Sequence, residues 1–105
     1  MAVHVITKEN FEAEVLQSES TVLVDFWANW CGPCGMMSPV VEQFAEEHAE
    51  IKVCKVNVEE QPELVQQFRV MSIPMLVVFK GGKVVGSSVG VQPKEDILAL
   101  TKKAM

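Results

Sequence analysis

Two cysteines, Cys31 and Cys34, lie three positions apart in this chain. They follow a β-branched and apolar run at 21–27 and precede a helical pattern, so the pair lies where a buried strand gives way to a helix. Residues i and i+3 share a helix face, and two sulfurs placed there can approach to bonding distance. Unpaired N–H groups and the dipole at a helix N-terminus favour the reactive thiolate. The spacing predicts a reversible redox pair, with Cys31 as the more exposed nucleophile and Cys34 as the resolving thiol.

A zinc site is the alternative chemistry for a C-x-x-C pair. Such a site needs four ligands. Only Cys54, His4 and His48 remain as candidates, and none of them forms a second closely spaced pair. We therefore expect redox chemistry and no bound metal. Cys54 lies in an apolar run and is expected to be a core residue, and the two histidines are expected at the surface.

One acidic residue, Asp25, interrupts the apolar run that precedes the cysteine pair. Burial of an isolated carboxylate is costly and raises its pKa. A carboxyl group with a raised pKa suits a general base near neutral pH, and buried acids are frequent in functional sites. We expect Asp25 to serve the cysteine pair, and the alternative is a strand-end aspartate that reaches water.

The elements that position these groups follow the order βαβαβαββα. Strand patterns occupy residues 3–6, 21–27, 51–56, 75–79 and 84–89. Helical patterns begin at Thr7, after Pro33, at Pro62 and at Pro93. The alternating first half implies right-handed parallel crossovers, and a tight turn at 81–82 implies an antiparallel hairpin. We expect one α/β domain over residues 1–105, with a mixed sheet covered by helices on both faces.

Two local expectations follow from the helical patterns. Thr7 is expected to be the N-cap of the first helix because a helical apolar pattern begins directly after it. Met36 and Met37 lie at helical spacing with later apolar residues of the second helix, and both are expected in the core.

Composition excludes several classes of protein. The chain has 105 residues, of which 49% are hydrophobic and 22% charged, so it can fill a core and is not intrinsically disordered. A net charge of −5 argues against nucleic-acid binding. Three cysteines are too few for a disulfide-rich secreted scaffold. No secretory signal pattern or membrane-spanning run is present, so we expect a cytoplasmic protein that does not bind membranes.

The residues around the cysteine pair resemble those of the thioredoxin family. The segment D-F-W-A-N-W-C-G-P-C at 25–34 is similar to the active-site segment of that family. The S-I-P segment at 72–74 is similar to its cis-proline motif. F-K-G-G at 79–82 and V-G at 89–90 are similar to its hairpin turn and to the glycine of its substrate-facing loop. The resemblance covers nearly the whole chain, and W-C-G-P-C is its most specific part.

The resemblance implies the thioredoxin fold and a protein-disulfide reductase that needs no cofactor. Cys31 would attack the disulfide of a target protein, and Cys34 would resolve the mixed disulfide while Asp25 handles its proton. Lys55 would be a nearby basic partner, although on its own it resembles a solvated strand-end lysine. The peptide bond before Pro74 would be cis. The implied docking surface for targets consists of Trp30, Gly32, Pro33, Ile73, Pro74, Gly90 and Val91.

Partners also follow from the resemblance. A separate NADPH-dependent flavoprotein, thioredoxin reductase, would regenerate the dithiol, since the chain contains no G-x-G-x-x-G segment for a nucleotide. Disulfide-containing proteins are the expected targets, and the chain is expected to be a monomer. Gly-Pro between the cysteines, with no histidine before the second, favours a reductant over an oxidase or isomerase. The alternative is a non-catalytic module within a larger enzyme.

Two positions depart from the usual pattern of the family. Gly35 stands where lysine or arginine usually follows the second cysteine, and glycine costs a helix ~1 kcal/mol relative to alanine. Because a positive charge is also missing there, we expect weaker electrostatic recruitment of acidic partners. Met75 stands where threonine is common, and we expect its adaptable side chain to alter target choice.

Overall fold

The structure is a computed structural model that describes residues 3–103. Its five strands are β1 (Val3–Val5), β2 (Val22–Trp27), β3 (Lys52–Asn57), β4 (Met75–Lys80) and β5 (Lys83–Val89). Its three α-helices are α1 (Gly32–Glu47), α2 (Pro62–Gln67) and α3 (Lys94–Lys102), and a π-helical turn (Glu12–Leu16) follows β1. The predicted element order is confirmed, with the π-helical turn in place of the first helix. Four residues of the expected domain (1, 2, 104 and 105) lie outside the described residues.

The strands form one mixed sheet in the order β1-β3-β2-β4-β5. β1, β3 and β2 run parallel, while β4 pairs antiparallel with both β2 and β5. The five residues from Val22 to Phe26 are all buried, because β2 has neighbours on both edges and is covered on both faces. The mixed sheet and its doubly buried central strand are therefore as the sequence predicts.

The core has one layer on each face of the sheet. On one face, α1 and α3 pack against the strands through Leu23, Met37, Phe44, Val78 and Ile97. On the other face, the π-helical turn and α2 pack against the strands through Phe11, Val15, Phe26, Leu64 and Phe79. Neighbouring residues of one strand fall in opposite layers because side chains alternate along a strand. None of the helices within residues 3–103 is long and apolar enough to cross a membrane.

The prediction that Thr7 is a helix N-cap is wrong. Residues 8–10 form a turn instead, in which the Thr7 N–H donates to Asn10 Oδ1 at 2.8 Å. The Asn10 amide also donates to the Val5 carbonyl at 3.1 Å. This side chain offers the backbone an alternative to helical hydrogen bonds, so the helical turn begins only at Phe11.

The prediction that both adjacent methionines of α1 lie in the core is wrong for one of them. Met37 is fully buried, whereas Met36 is 66% exposed. Successive residues point about 100° apart around a helix, so the stripe that faces the sheet cannot hold both. Met36 therefore points to solvent two residues after Cys34.

Candidate active site

The cysteine pair lies at the beginning of α1, directly after β2 and a short loop. Cys31 is the N-cap of the helix, and Cys34 lies in its first turn. The two residues are joined by a disulfide, with their Cα atoms 5.2 Å apart. Cys31 is 8% exposed and Cys34 is 4% exposed, so Cys31 is the more accessible of the two, as expected. The difference is small because Ile73 and Val58 pack against the pair.

Hydrogen bonding distinguishes the two sulfurs. The backbone N–H of Cys34 donates to Cys31 Sγ at 3.1 Å. The same sulfur lies at the N-terminus of a 16-residue helix, where the helix dipole favours negative charge. A thiolate is a better acceptor than a thiol, so both features lower the cost of ionising Cys31. The geometry thus favours Cys31 as the nucleophile of the pair.

Asp25 lies on β2 and is only 5% exposed. Burial raises its pKa from the ordinary 3.8 to about 7, and the nearby Lys55 charge lowers it in part. Its Oδ1 atom is buried and accepts no hydrogen bond from any residue between 3 and 103. Asp25 lines a cavity of about 220 Å³ together with Cys31 and Cys34. The structure therefore places a carboxyl group whose pKa is near neutral pH in the cavity beside the two cysteines.

Lys55 belongs to the same cavity. It lies on β3 directly opposite Asp25 in the parallel register, and it also lines the cavity. Its Nζ atom lies 5.6 Å from the centroid of the Trp27 ring, within the range of a cation–π contact. Lys55 is half-buried where it lines the cavity, so its surroundings are not those of a fully solvated lysine.

Sequence reasoning missed part of the cavity wall. Trp27 and Gly35, which the sequence places near the cysteine pair, line the cavity. The wall also contains three residues that the sequence did not indicate: Ala28, Asn29 and Ser38. Ser38 follows Cys34 by four residues, so helical spacing alone could have placed it on the same face of α1. Asn29 carries no comparable signal, because the path of the loop before Cys31 decides where it points.

The loop before β4 lies against the nucleophile. The Ile73–Pro74 peptide bond is cis, as the resemblance implies. The carbonyl oxygen of Ile73 lies 3.8 Å from Cys31 Sγ. Pro74 itself is buried, and its carbonyl accepts a hydrogen bond from the Gly90 N–H at 2.8 Å. This contact joins the two loops of the expected docking surface.

The expected docking residues differ in exposure. Trp30 is 68% exposed, and Val91 is 43% exposed. Gly32 and Pro33 are also exposed at the beginning of α1. Ile73 and Gly90 are half-buried, and Pro74 is buried. The structure therefore gathers these residues around the cysteine pair, but Pro74 positions the surface without contributing exposed area to it.

The two unusual positions lie in different environments. Gly35 is exposed, and a Cβ atom there would meet nothing within 4 Å. A lysine would fit at this position, so the missing positive charge is a property of the sequence and not of the space available. Met75 is half-buried and packs against the core on the α2 side of the sheet.

The remaining candidate residues lie outside the site. Cys54 is a free cysteine with no exposed area, and burial raises its pKa to about 12. His4 is exposed, and the half-buried His48 packs on Phe44 near Glu50. In the part of the chain that the structure describes, no three His, Cys, Asp or Glu side chains cluster as metal ligands would. The expected core position of Cys54 is confirmed.

Comparison with known proteins agrees with this geometry. The sequence model of the thioredoxin family matches residues 2–103. The chain is 54% identical over 95 residues to a thioredoxin of Alicyclobacillus acidocaldarius, and the match covers 90% of each chain. It is 48% identical over 92 residues to a thioredoxin of Chlorobaculum thiosulfatiphilum, covering 87% of this chain and 85% of the relative. It is 46% identical over 99 residues to Thioredoxin 1 of a Nostoc species, covering 93% and 92%.

Proposed function

The chain belongs to the thioredoxin family and is a protein dithiol–disulfide oxidoreductase, and we propose that Cys31 is its nucleophile and Cys34 its resolving thiol. The observation that carries this assignment is the hydrogen bond from the Cys34 N–H to Cys31 Sγ at the N-terminus of α1. This bond supports the thiolate at Cys31 in the reduced protein. Of the two sulfurs, the one that attacks must be the one that ionises more readily and is more accessible.

The first step forms a mixed disulfide. The Cys31 thiolate attacks one sulfur of a target disulfide, and the target S–S bond breaks. Its electron pair goes to the second target sulfur, which leaves as a thiolate and takes a proton from solvent. Cys31 and the first target sulfur are then covalently joined.

The second step releases the target. Asp25 accepts the proton of Cys34, and the resulting thiolate attacks Cys31 Sγ. The bond between Cys31 and the target breaks, and the target sulfur leaves with the electron pair. The target has gained two electrons, and the enzyme retains the Cys31–Cys34 disulfide. A pKa of about 7 supports Asp25 in this role, because such a carboxyl can accept and lose a proton near neutral pH.

Targets would dock as extended segments on the surface around the cysteine pair. The exposed side chains of Trp30 and Val91 support this, because both offer apolar area to a partner and Trp30 directly precedes Cys31. The carbonyl oxygen of the half-buried Ile73 lies 3.8 Å from Cys31 Sγ, so the backbone of Ile73 could pair with an extended chain beside the cysteine pair. The positive charge of Lys55 would stabilise the ionised form of Asp25 beneath the cysteine pair.

The finer biological setting is also a proposal. Thioredoxin reductase, an NADPH-dependent flavoprotein, would return two electrons to the Cys31–Cys34 disulfide. Disulfide-bonded proteins of the cytoplasm would be the targets, since a reductant works in a reducing compartment. The chain would act as a monomer folded as one domain over residues 1–105. The Gly-Pro pair between the cysteines supports the reducing direction.

The proposal is tested by reduction of insulin in the presence of dithiothreitol. The wild-type protein should accelerate precipitation of the insulin chains, and Cys31→Ser should lose this activity. An inactive wild-type protein would favour the non-catalytic module instead. The reduction potential separately tests whether the protein acts as a reductant or an oxidant. A value of about −120 mV, typical of a periplasmic oxidase, would contradict the reducing assignment.

A further inference from the structure

The loop between β5 and α3 presents part of the proposed docking surface. Its central residue, Val91, is 43% exposed and offers apolar area to a target. The Gly90 N–H at the beginning of the loop donates to the Pro74 carbonyl at 2.8 Å. This hydrogen bond fixes the beginning of the loop to the segment that contains the cis-proline.

The end of the same loop is fixed to α1 by a methionine. The backbone N–H of Gln92 donates to Met37 Sδ, with the nitrogen and the sulfur 3.3 Å apart. Met37 lies on α1, three residues after Cys34. A thioether sulfur accepts hydrogen bonds, although weakly, whereas an aliphatic side chain accepts none. Val91 is therefore held between one bond to the β4 segment and one bond to the helix of the cysteines.

Met37 thus has a contact that its place in the core does not require. Its side chain is fully buried in the layer that also contains Leu23, Phe44 and Val78. Leucine and methionine exchange in such cores at small cost, so packing alone does not need a sulfur atom. The unbranched methionine side chain can fill the core and still bring its sulfur to the loop. The hydrogen bond from Gln92 is what distinguishes methionine from another apolar residue at this position.

We propose that Met37 is a positioning residue for target binding, whose thioether holds the Gln92 N–H and thereby keeps Val91 in place on the docking surface. The inference rests on the proposed function, in which targets dock at Val91. Because α1 carries both Met37 and the cysteines, this contact ties the docking loop to the element that holds the reacting sulfurs. A loop that is already ordered loses less conformational freedom when a target binds, so association is more favourable.

Two disulfides of different size test this role. The reduced protein, separated from dithiothreitol, is mixed with insulin or with 2-hydroxyethyl disulfide, which has no polypeptide segment to contact the loop. Met37→Leu removes the acceptor and keeps the apolar volume. The rate constant for insulin should fall by about three- to tenfold, the effect of one hydrogen bond, and that for the small disulfide should stay within about twofold of the wild type.

The pair of rate constants separates this role from a structural one. If Met37 only supported the fold around the cysteines, Met37→Leu would lower both rate constants equally, and that result would overturn the proposal. Met36→Leu makes the same chemical change at the exposed neighbouring position and should alter neither. A wild-type protein that reduces neither disulfide would contradict the proposed function itself. A Met37→Leu variant that equals the wild type toward insulin would overturn this inference alone.

A double-mutant cycle tests whether Met37 acts through the loop. Val91→Ala should slow the reduction of insulin in the wild-type background. In the Met37→Leu background the same change should have a smaller effect, because both changes act on one loop. Equal fold-losses in the two backgrounds would overturn the link between Met37 and Val91. If Val91→Ala has no effect in the wild type, docking at this position fails, and the inference fails with it.

Hydrogen exchange gives a measurement that does not depend on how the variants fold. In the wild type, the Gln92 amide should exchange at least about tenfold more slowly than in an unstructured peptide of the same sequence. Met37→Leu should remove this protection and leave that of the Gly90 amide, which is bonded to a backbone carbonyl. Exchange of the wild-type Gln92 amide at the rate of the peptide would overturn the proposal.

Discussion

At the scale of the single residue, Asp25 makes stability depend on pH. Its pKa is about 7 in the folded protein, above the ordinary value of 3.8, so between these values the folded state binds more protons. The contribution of the Asp25 carboxyl to stability should be largest below about pH 4 and should fall as the pH rises toward 7. The loss amounts to at most about 4 kcal/mol at the end of this window. Asp25→Asn removes the effect and should be more stable than the wild type at pH 8.

Urea unfolding of the disulfide form between pH 4 and pH 8 checks this prediction. The free energy of unfolding of the wild type should decline relative to that of Asp25→Asn across the window. Asp96→Asn makes the same chemical change at an exposed position of α3, and its curve should follow the wild type. Parallel curves for the wild type and Asp25→Asn would contradict the account.

Cys54 should not react with thiol reagents in the folded protein. Its side chain has no exposed area, and burial raises its pKa to about 12, so almost no thiolate forms. In the disulfide form, iodoacetamide at pH 8 should leave Cys54 unmodified until denaturant is added. Mass spectrometry of the intact protein counts the label. Labelling at the rate of a free thiol, without denaturant, would show that the sheet opens here.

Residue types predicted the chemistry of the site but not its walls. The spacing of Cys31 and Cys34 was sufficient for the redox pair, and an acid within an apolar run was sufficient for the burial of Asp25. The place of Lys55 depends on the register between β2 and β3, which a single strand pattern does not determine. The place of Ser38 depends on how α1 lies on the sheet. Both positions depend on how the strands and the helix pack together, which a local sequence pattern does not contain.

At the scale of the element, the turn between β4 and β5 depends on its two glycines. Gly81 and Gly82 have φ of 61° and 80°. Alanine at either position should cost about 1–2 kcal/mol, because a Cβ atom is strained in this region. A Cβ atom at position 82 would also lie 3.0 Å from the Leu16 carbonyl oxygen, whereas position 81 is open. Gly82→Ala should therefore be the more destabilising, and equal urea midpoints would argue against this contact.

The first turn of α1 offers a second test at this scale. Gly35→Ala should stabilise the protein by up to ~1 kcal/mol, because alanine is the better helix former and the position is open. Gly35→Lys should in addition speed the reduction of targets that are acidic around their disulfide. That gain should shrink as salt is added. With Gly35→Ala as the neutral control, equal rates and salt dependence for the lysine variant would contradict the electrostatic explanation.

The elements themselves follow from the sequence except where side chains compete with the backbone. Strand and helix order, the central position of β2 and the turn at 81–82 all come from apolar periodicity and glycine. Thr7 fails as an N-cap because residues 8–10 form a turn and the helical turn begins only at Phe11. Met36 is exposed because a helix face is narrower than the run of apolar residues that contains it.

At the scale of the whole molecule, strand order explains why distant segments form one site. β2 and β4 are antiparallel neighbours, so the C-terminal end of β2 and the N-terminal end of β4 lie side by side at one end of the sheet. Cys31 follows β2, and Pro74 precedes β4. β5 pairs with β4 and ends at the same end of the sheet, which brings Gly90 to Pro74. The chemistry therefore lies at a single end of the sheet.

Trapping of a target with Cys34→Ser identifies the attacking cysteine directly. This variant is reduced, separated from dithiothreitol and then incubated with a disulfide-bonded protein. The adduct is mapped by peptide mass spectrometry. We expect a mixed disulfide on Cys31, no adduct on Cys54, and no adduct in the double variant with Cys31→Ser. A bond to Cys54, or an equal yield of adduct when Cys31 is replaced, would contradict Cys31 as the nucleophile.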